Sequence, residues 1–248
     1  MEQKNEKFIV YGRQPVIEAL RSDYSVNSIW LARDLKGKVV GQIERVAKSK
    51  EVRVRKVDKN EIQKLSGPVV HQGVAAEMKP LTIKSEKILD SFLKEVENPF
   101  LLILDQVQDP HNTGAILRTA EISGVDAIIL PEKGSAQLNA TVAKTSAGAL
   151  FHLNIFRVPY LESVIETLNG NGVLTGALMP GSENSMYQKD FKKPLAIIVG
   201  SEGPGVRKNI AALCSDRITI PQFGKIESLN ASVATAVVLY EVVRQRQL

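Results

Sequence analysis

A chain of 248 residues with 44% hydrophobic and 24% charged residues has room for one large domain or two smaller ones, which excludes a disordered polymer. No apolar run approaches the ~20 residues that cross a bilayer, and the charged opening MEQKNEKFIV lacks an apolar signal core, so a cytoplasmic protein without membrane partners is expected. The single Cys214 excludes an internal disulfide framework, and with only three His along the chain no metal site is expected.

The net charge of +5 is unevenly placed. Residues 1–80 carry 16 Lys/Arg against 10 Asp/Glu, whereas the rest carry 16 against 17. The basic excess therefore lies in the first third. It suggests a polyanion-binding module joined to a neutral one, a solvated surface being the plainer alternative.

In chain order, residues 12–20 read as a helix, with Pro15 early and Val16, Ile17, Ala19 and Leu20 apolar. Residues 28–32 read as a strand, and 39–50 as a helix with Val40, Ile43 and Ala47 on one face. Residues 52–57 alternate as a half-buried strand does, with Arg53, Arg55 and neighbouring Lys56 as a candidate polyanion-facing edge. Residues 69–76 read as a last strand of a small α/β module. The polar, helical stretch SEKILDSFLKEVENP places a linker at 81–98.

The rhythm then changes. Apolar strands at 100–104, 127–130, 153–158, 173–178, 195–199 and 217–220 alternate with helices at 113–123, 140–149, 161–168, 206–213 and 229–246. Such alternation gives a mostly parallel sheet covered on both faces. Ligands bind such sheets beyond the carboxyl ends of the strands.

Three post-strand loops carry the polar chemistry. In the first, Asp109-Pro110-His111-Asn112 is a turn signal, Asn112 is an N-cap candidate, and Arg118 stands three residues from Glu121, its simplest ion-pair partner. In the second, Gly200–Val206, glycines allow close backbone approach, but central Glu202 repels a phosphate. With no GxGxxG and no Walker lysine, a nucleotide-binding oxidoreductase or nucleoside triphosphatase is disfavoured. The third, Gly224-Lys225-Ile226-Glu227-Ser228-Leu229-Asn230, opens a helix that is apolar on nearly every side. Ser228 and Asn230 there either cap the helix or line a site.

Together the loops resemble the motifs of the SpoU/TrmH family of RNA ribose 2'-O-methyltransferases, within the SPOUT superfamily. Asn112-Thr113-Gly114-Ala115-Ile116-Leu117-Arg118-Thr119-Ala120 is similar to motif one. Ile198-Val199-Gly200-Ser201-Glu202-Gly203-Pro204-Gly205 is similar to motif two. Ile220-Pro221 followed by Glu227-Ser228-Leu229-Asn230-Ala231-Ser232-Val233-Ala234 is similar to motif three. Lys144-Thr145-Ser146-Ala147-Gly148-Ala149 resembles the segment between motifs one and two. Tyr11-Gly12-Arg13-Gln14-Pro15-Val16-Ile17-Glu18-Ala19-Leu20 and His71-Gln72-Gly73-Val74 resemble the family's substrate-binding domain, itself similar to ribosomal protein L30e.

The resemblance implies an α/β fold whose mostly parallel sheet carries a C-terminal trefoil knot, plus a small N-terminal L30e-like domain. It implies an RNA substrate-binding domain at 1–80, a linker at 81–98 and a methyltransferase domain at 99–248. It implies S-adenosylmethionine as cofactor, RNA rather than DNA as partner, and a homodimer. By the same resemblance Arg118 handles the ribose 2'-oxygen, Glu202 orients Arg118 or binds substrate, and Asn112 and Asn230 hold the substrate and its loops. Gly176, Gly200, Ile220, Ser228 and Leu229 would contact the cofactor. The branch resembled most is the one that methylates a guanosine ribose of large-subunit (23S) rRNA. A tRNA 2'-O-methyltransferase and a non-catalytic RNA-binding ribosome-assembly factor are the alternatives.

Overall fold

The computed structural model describes residues 7–247, except 183 and 227. It divides into two compact units. One is the chain to Thr82 together with Leu138–His152, and the other is Ile83–Gln137 with Leu153–Leu248.

The first unit contains β1 (Phe8–Tyr11), α1 (Arg13–Arg21), β2 (Val26–Ala32), α2 (Lys38–Ser49), β3 (Arg53–Val57), α3 (Lys59–Ser66) and β4 (Val74–Met78). The strands form one sheet in the order β1-β4-β2-β3, with only β2 and β3 parallel. Trp30, Ala32, Val57, Ile62 and Ala75 make one of its buried clusters. Along β3, Arg53, Arg55 and Lys56 are exposed, and the Arg55 guanidinium lies 5.4 Å from the Trp30 ring centre.

Two sequence expectations change here. Residues 69–73 form a loop and the strand begins at Val74. Gln72 and Gly73 both adopt left-handed φ, 56° and 76°, which a strand ladder does not accept. The helix α3 was not foreseen, because Ile62 is its only fully buried side chain and the rest of KNEIQKLS is largely polar.

The second unit is built around β5 (Lys84–Ser85), α4 (Leu89–Glu95), β6 (Phe100–Asp105), α5 (Pro110–Ile122) and β7 (Ala127–Pro131). The helix α6 (Ala140–Thr145) belongs to the first unit, and the second resumes with β8 (Asn154–Val158), α7 (Leu161–Gly170), β9 (Leu174–Leu178) and β10 (Asn184–Ser185). It ends with β11 (Leu195–Gly200), α8 (Lys208–Leu213), β12 (Asp216–Thr219) and α9 (Ala231–Gln247). Its eight strands run in the order β10-β12-β9-β11-β6-β7-β8-β5, and the pairings among the described residues are all parallel. All residues of β6 and β11 are buried, which is why FLLILD and LAIIVG read as continuous apolar runs instead of alternating ones. The expected linker adds both β5, at the sheet edge, and α4.

The excursion Leu138–His152 is held by one local cap and by distant contacts with α1. Asn139 caps α6 by accepting from the backbone N–H groups of Thr141 and Val142 at 3.0 and 3.2 Å. Gly148, at φ 94°, lies against α1, where a Cβ would come within 2.5 Å of Glu18 Cβ. His152 Nε2 is 3.1 Å from Glu18 Oε2.

In the second unit, burial pushes the Cys214 thiol up to about 11. A raised pKa means a neutral thiol at pH 8, with thiolate at about one part in a thousand. Iodoacetamide at pH 8 is therefore expected to alkylate the folded protein far more slowly than the urea-unfolded chain, as read by intact mass.

Candidate active site

The polar loops leave the carboxyl ends of β6, β11 and β12, and their side chains meet. Asn112 Nδ2 donates to Glu202 Oε1 at 2.5 Å. Asn230 Nδ2 donates to the same Glu202 oxygen at 2.5 Å and to Asn112 Oδ1 at 3.1 Å. One carboxylate thus ties together three loops separated by as many as 118 residues of sequence.

Each member is held from its own element. The helix α5 begins at Pro110 and is capped by Asp109, whose side chain accepts from the His111 N–H at 3.0 Å. The N-cap expected at Asn112 is therefore corrected. Proline fits the first helical position, where no N–H partner is required, and this moves the start upstream and leaves the Asn112 amide free for Glu202. Asn230 has both of the roles weighed for it. Its Oδ1 caps α9 by accepting from the N–H groups of Ser232 and Val233 at 2.9 and 3.3 Å, while its amide serves Glu202. Ser228 does not cap; it lines the adjoining pocket.

The roles of Asn230 can be separated. Asn230→Ser is expected to keep a cap but lose the amide donor. Asn230→Ala is expected to lose both, at about 1 kcal/mol of stability for the cap. Thermal unfolding of the two variants checks this: only the alanine variant should melt clearly lower.

The loop Gly200–Val206 folds back on itself. Gly205 N–H donates to Ser201 O at 3.1 Å, and a Cβ on Gly200 would fall 1.9 Å from the Gly205 carbonyl carbon. The loop exit is fixed by Asp105, fully buried at the end of β6, which accepts from the Arg207 backbone N–H at 2.9 Å and from its Nε at 2.8 Å. Asp105 was not singled out in the sequence. The only available signal was a carboxylate closing the apolar run FLLIL.

Beside the three-loop cluster is a pocket that opens to solvent. Gly200, Glu202, Ile220, Ser228 and Leu229 line it, and Leu178 adds an apolar wall. Among the described residues Glu202 is the only charged lining side chain. Apolar walls, glycine backbone and one carboxylate suit a cationic organic cofactor and oppose a phosphate. Gly176 lies outside the lining. It is buried in β9, where a Cβ would meet Ile218 Cδ1 at 2.3 Å. Arg118 is exposed on α5, six residues beyond Asn112, which is roughly 9 Å along the axis. Among the described residues it makes no hydrogen bond or ion pair, so the pairing with Glu121 weighed from sequence does not form. Glu227 of the third motif lies outside the described residues. The described residues contain no cluster able to hold a metal ion, and no helix long and apolar enough to cross a membrane.

Comparison with known proteins places this geometry. The profile of the SpoU rRNA Methylase family matches residues 99–240, and that of RNA 2'-O ribose methyltransferase substrate binding matches residues 9–84. A Staphylococcus saprophyticus protein named for the TrmH family of tRNA/rRNA methyltransferases is 38% identical over 97% of this chain and 97% of its own. The crystal structure of the SpoU methyltransferase AviRb from Streptomyces viridochromogenes, in complex with the cofactor AdoMet, shares the fold. Its TM-score is 0.79 over 97% of this chain and 91% of that one, at 24% identity. An A. aeolicus TrmH/SpoU tRNA modifying enzyme superposes at TM-score 0.54 and 27% identity, over 65% of this chain and 84% of its own.

Proposed function

The chain belongs to the SpoU/TrmH family of RNA methyltransferases, and on that footing we propose that it methylates a ribose 2'-hydroxyl of RNA, specifically a guanosine of large-subunit (23S) rRNA. The observation that carries the reading is the Asn112–Glu202–Asn230 cluster, held beside an apolar, glycine-lined pocket, with Arg118 on the same helix as Asn112 and unpaired among the described residues.

S-adenosylmethionine, when bound, supplies a methyl already activated on a sulfonium. The pocket would hold it through the backbone around Gly200, through Ile220, Ser228 and Leu229, and through the negative Glu202, with Gly176 supporting the wall from β9. What remains for the protein is the acceptor, since a ribose hydroxyl is a poor nucleophile. The chain has to align that oxygen and stabilise the charge it acquires. Arg118 has the chemistry for this. A guanidinium presents a planar fork of N–H donors and no acceptor, so Arg118 acts as an electrostatic stabiliser and a holder of the ribose or adjacent phosphate. Asn112 and Asn230 position the loops and the ribose.

The same proposal assigns RNA binding to residues 1–80, linkage to 81–98 and methyl transfer to 99–248. It includes a homodimer. Val233 and Tyr240 on α9 are 47% and 51% exposed, and Ile122 on α5 is 60% exposed, which leaves apolar surface for a second copy. It includes the trefoil knot that the family resemblance implies.

The A. aeolicus tRNA modifying enzyme matches only 65% of this chain. The basic module at residues 1–80 is the feature that favours rRNA over tRNA in this reading. A competition assay tests the choice: with unmodified 23S rRNA and bulk tRNA present together, labelled methyl is expected in the rRNA. Label in tRNA alone would establish the tRNA reading instead. Calorimetry that detects no S-adenosylmethionine binding would favour the non-catalytic assembly factor.

A further inference from the structure

The first unit has a cleft of its own, far in sequence from the three-loop cluster. It is lined by Leu35, Lys59 and the loop Val69–Gly73, with Arg13 across from that loop, and encloses about 920 Å³ of open space. We infer that this cleft takes one unpaired nucleotide of the RNA, its base against Leu35, Val69 and Val70 and its phosphate on Arg13 and Lys144. The inference rests on the RNA reading above and adds a recognition site to it.

The cleft is built, not incidental. The Gln72 side chain accepts from the Arg13 backbone N–H at 3.2 Å, and Arg13 Nε donates to the Gln72 carbonyl at 3.4 Å, so the two walls are tied. His71 Nδ1 accepts from the Gly73 N–H at 3.0 Å. In the neutral ring the proton then sits on Nε2, leaving that nitrogen to donate to a base edge. Val70 is 78% exposed, and Val69 and Leu35 continue the apolar surface. An apolar wall with a fixed donor beside it matches a splayed base, whose face and edge are both free.

The charges fit a phosphate. Lys59 is neutralised by Asp34 at 2.6 Å, and Arg33 stands 3.9 Å from Asp58. Arg13 and Lys144 differ: among the described residues neither meets a carboxylate. Lys144 lies over Gly12, with Nζ 2.5 Å from where a Cβ would be, directly before Arg13. Burial first, and the Arg13 charge second, push the Lys144 ammonium pKa down. An anion between the two cations removes that repulsion. A duplex presents phosphates but no free base, so the site prefers a single strand.

The test uses the full chain and a labelled single-stranded RNA hexamer, with a blunt duplex of the same sequence as control. Val70→Asp is expected to weaken hexamer binding about tenfold, as loss of one stacked base does. Lys144→Ala is expected to lower the slope of log affinity against log salt by about one. Both variants should melt like the parent, because Val70 is exposed and Lys144 makes no hydrogen bond or ion pair among the described residues. Parent-like hexamer binding by both variants, or a duplex bound as tightly as the single strand, overturns the site. Methyl transfer by the parent, measured in parallel, separates the two readings. Transfer with unchanged binding by the variants removes the site and leaves the enzyme. Weakened binding in a protein that transfers no methyl supports the site and counts against the enzyme.

Discussion

Arg118→Ala is expected to lower methyl transfer about 100- to 1,000-fold, the usual cost of removing one preorganised donor from a developing oxyanion. The melting temperature and the S-adenosylmethionine affinity should stay at parent values. The structure makes this a clean comparison. Arg118 is exposed on α5 and makes no hydrogen bond or ion pair among the described residues, so its removal leaves no buried group unpaired. Its stem does not line the pocket beside the three-loop cluster. An arginine unpaired among the described residues is available for a substrate oxygen. Arg118→Lys keeps a charge but not the planar fork, and should recover only part of the activity. Single-turnover transfer with calorimetry on the same samples decides the matter; a turnover near that of the parent in Arg118→Ala would remove the residue from the reaction.

Gly200→Ala is expected to act at the other component, the pocket. A methyl there would overlap the Gly205 carbonyl carbon and oxygen and the Val206 nitrogen, at 1.9, 2.1 and 2.1 Å. These are backbone atoms, so no side chain can swing aside. The loop has to open, which pulls Glu202 from Asn112 and Asn230 and widens the pocket wall. We expect a cost of about 1–3 kcal/mol in stability, as for other forced insertions, and a fall in S-adenosylmethionine affinity of at least about tenfold. Gly203→Ala is the matched control. Its Cβ would meet open space, but its φ of 92° carries a backbone penalty, so it should destabilise without the steric opening of the loop. Equal cofactor affinity in the two variants would contradict this account of the loop.

Much of this architecture was legible in the sequence because it depends on patterns that are local. FLLILD and LAIIVG are apolar throughout since both faces of a parallel strand are covered, and their positions fix where the loops emerge. The motif residues were legible as a set, but their geometry was not. Nothing in the spacing of Asn112, Glu202 and Asn230 says that one carboxylate oxygen accepts from both amides. Asn112 was expected at a cap that Asp109 takes, because the turn signal Asp109-Pro110-His111-Asn112 offers two side chains able to cap the helix. Residues 69–73 looked like strand since Val69 and Val70 are β-formers. The left-handed pair Gln72–Gly73 overrides that preference and opens the cleft instead. The allegiance of Leu138–His152 was equally invisible. Its contacts with Pro15 and Glu18 are more than a hundred residues away in sequence, and the segment packs with the first unit although it lies between strands of the second. Asp105 escaped notice for a similar reason: its partner Arg207 is 102 residues on.

The measurement that tests the central claim most directly is transfer of labelled methyl from S-adenosylmethionine to 23S rRNA made without its natural modifications, followed by mapping of the labelled nucleotide. The account requires a single 2'-O-methylated guanosine in the parent reaction, lost with Arg118→Ala. A protein that binds S-adenosylmethionine yet labels no ribose in rRNA, whether free or in assembly particles, would contradict it.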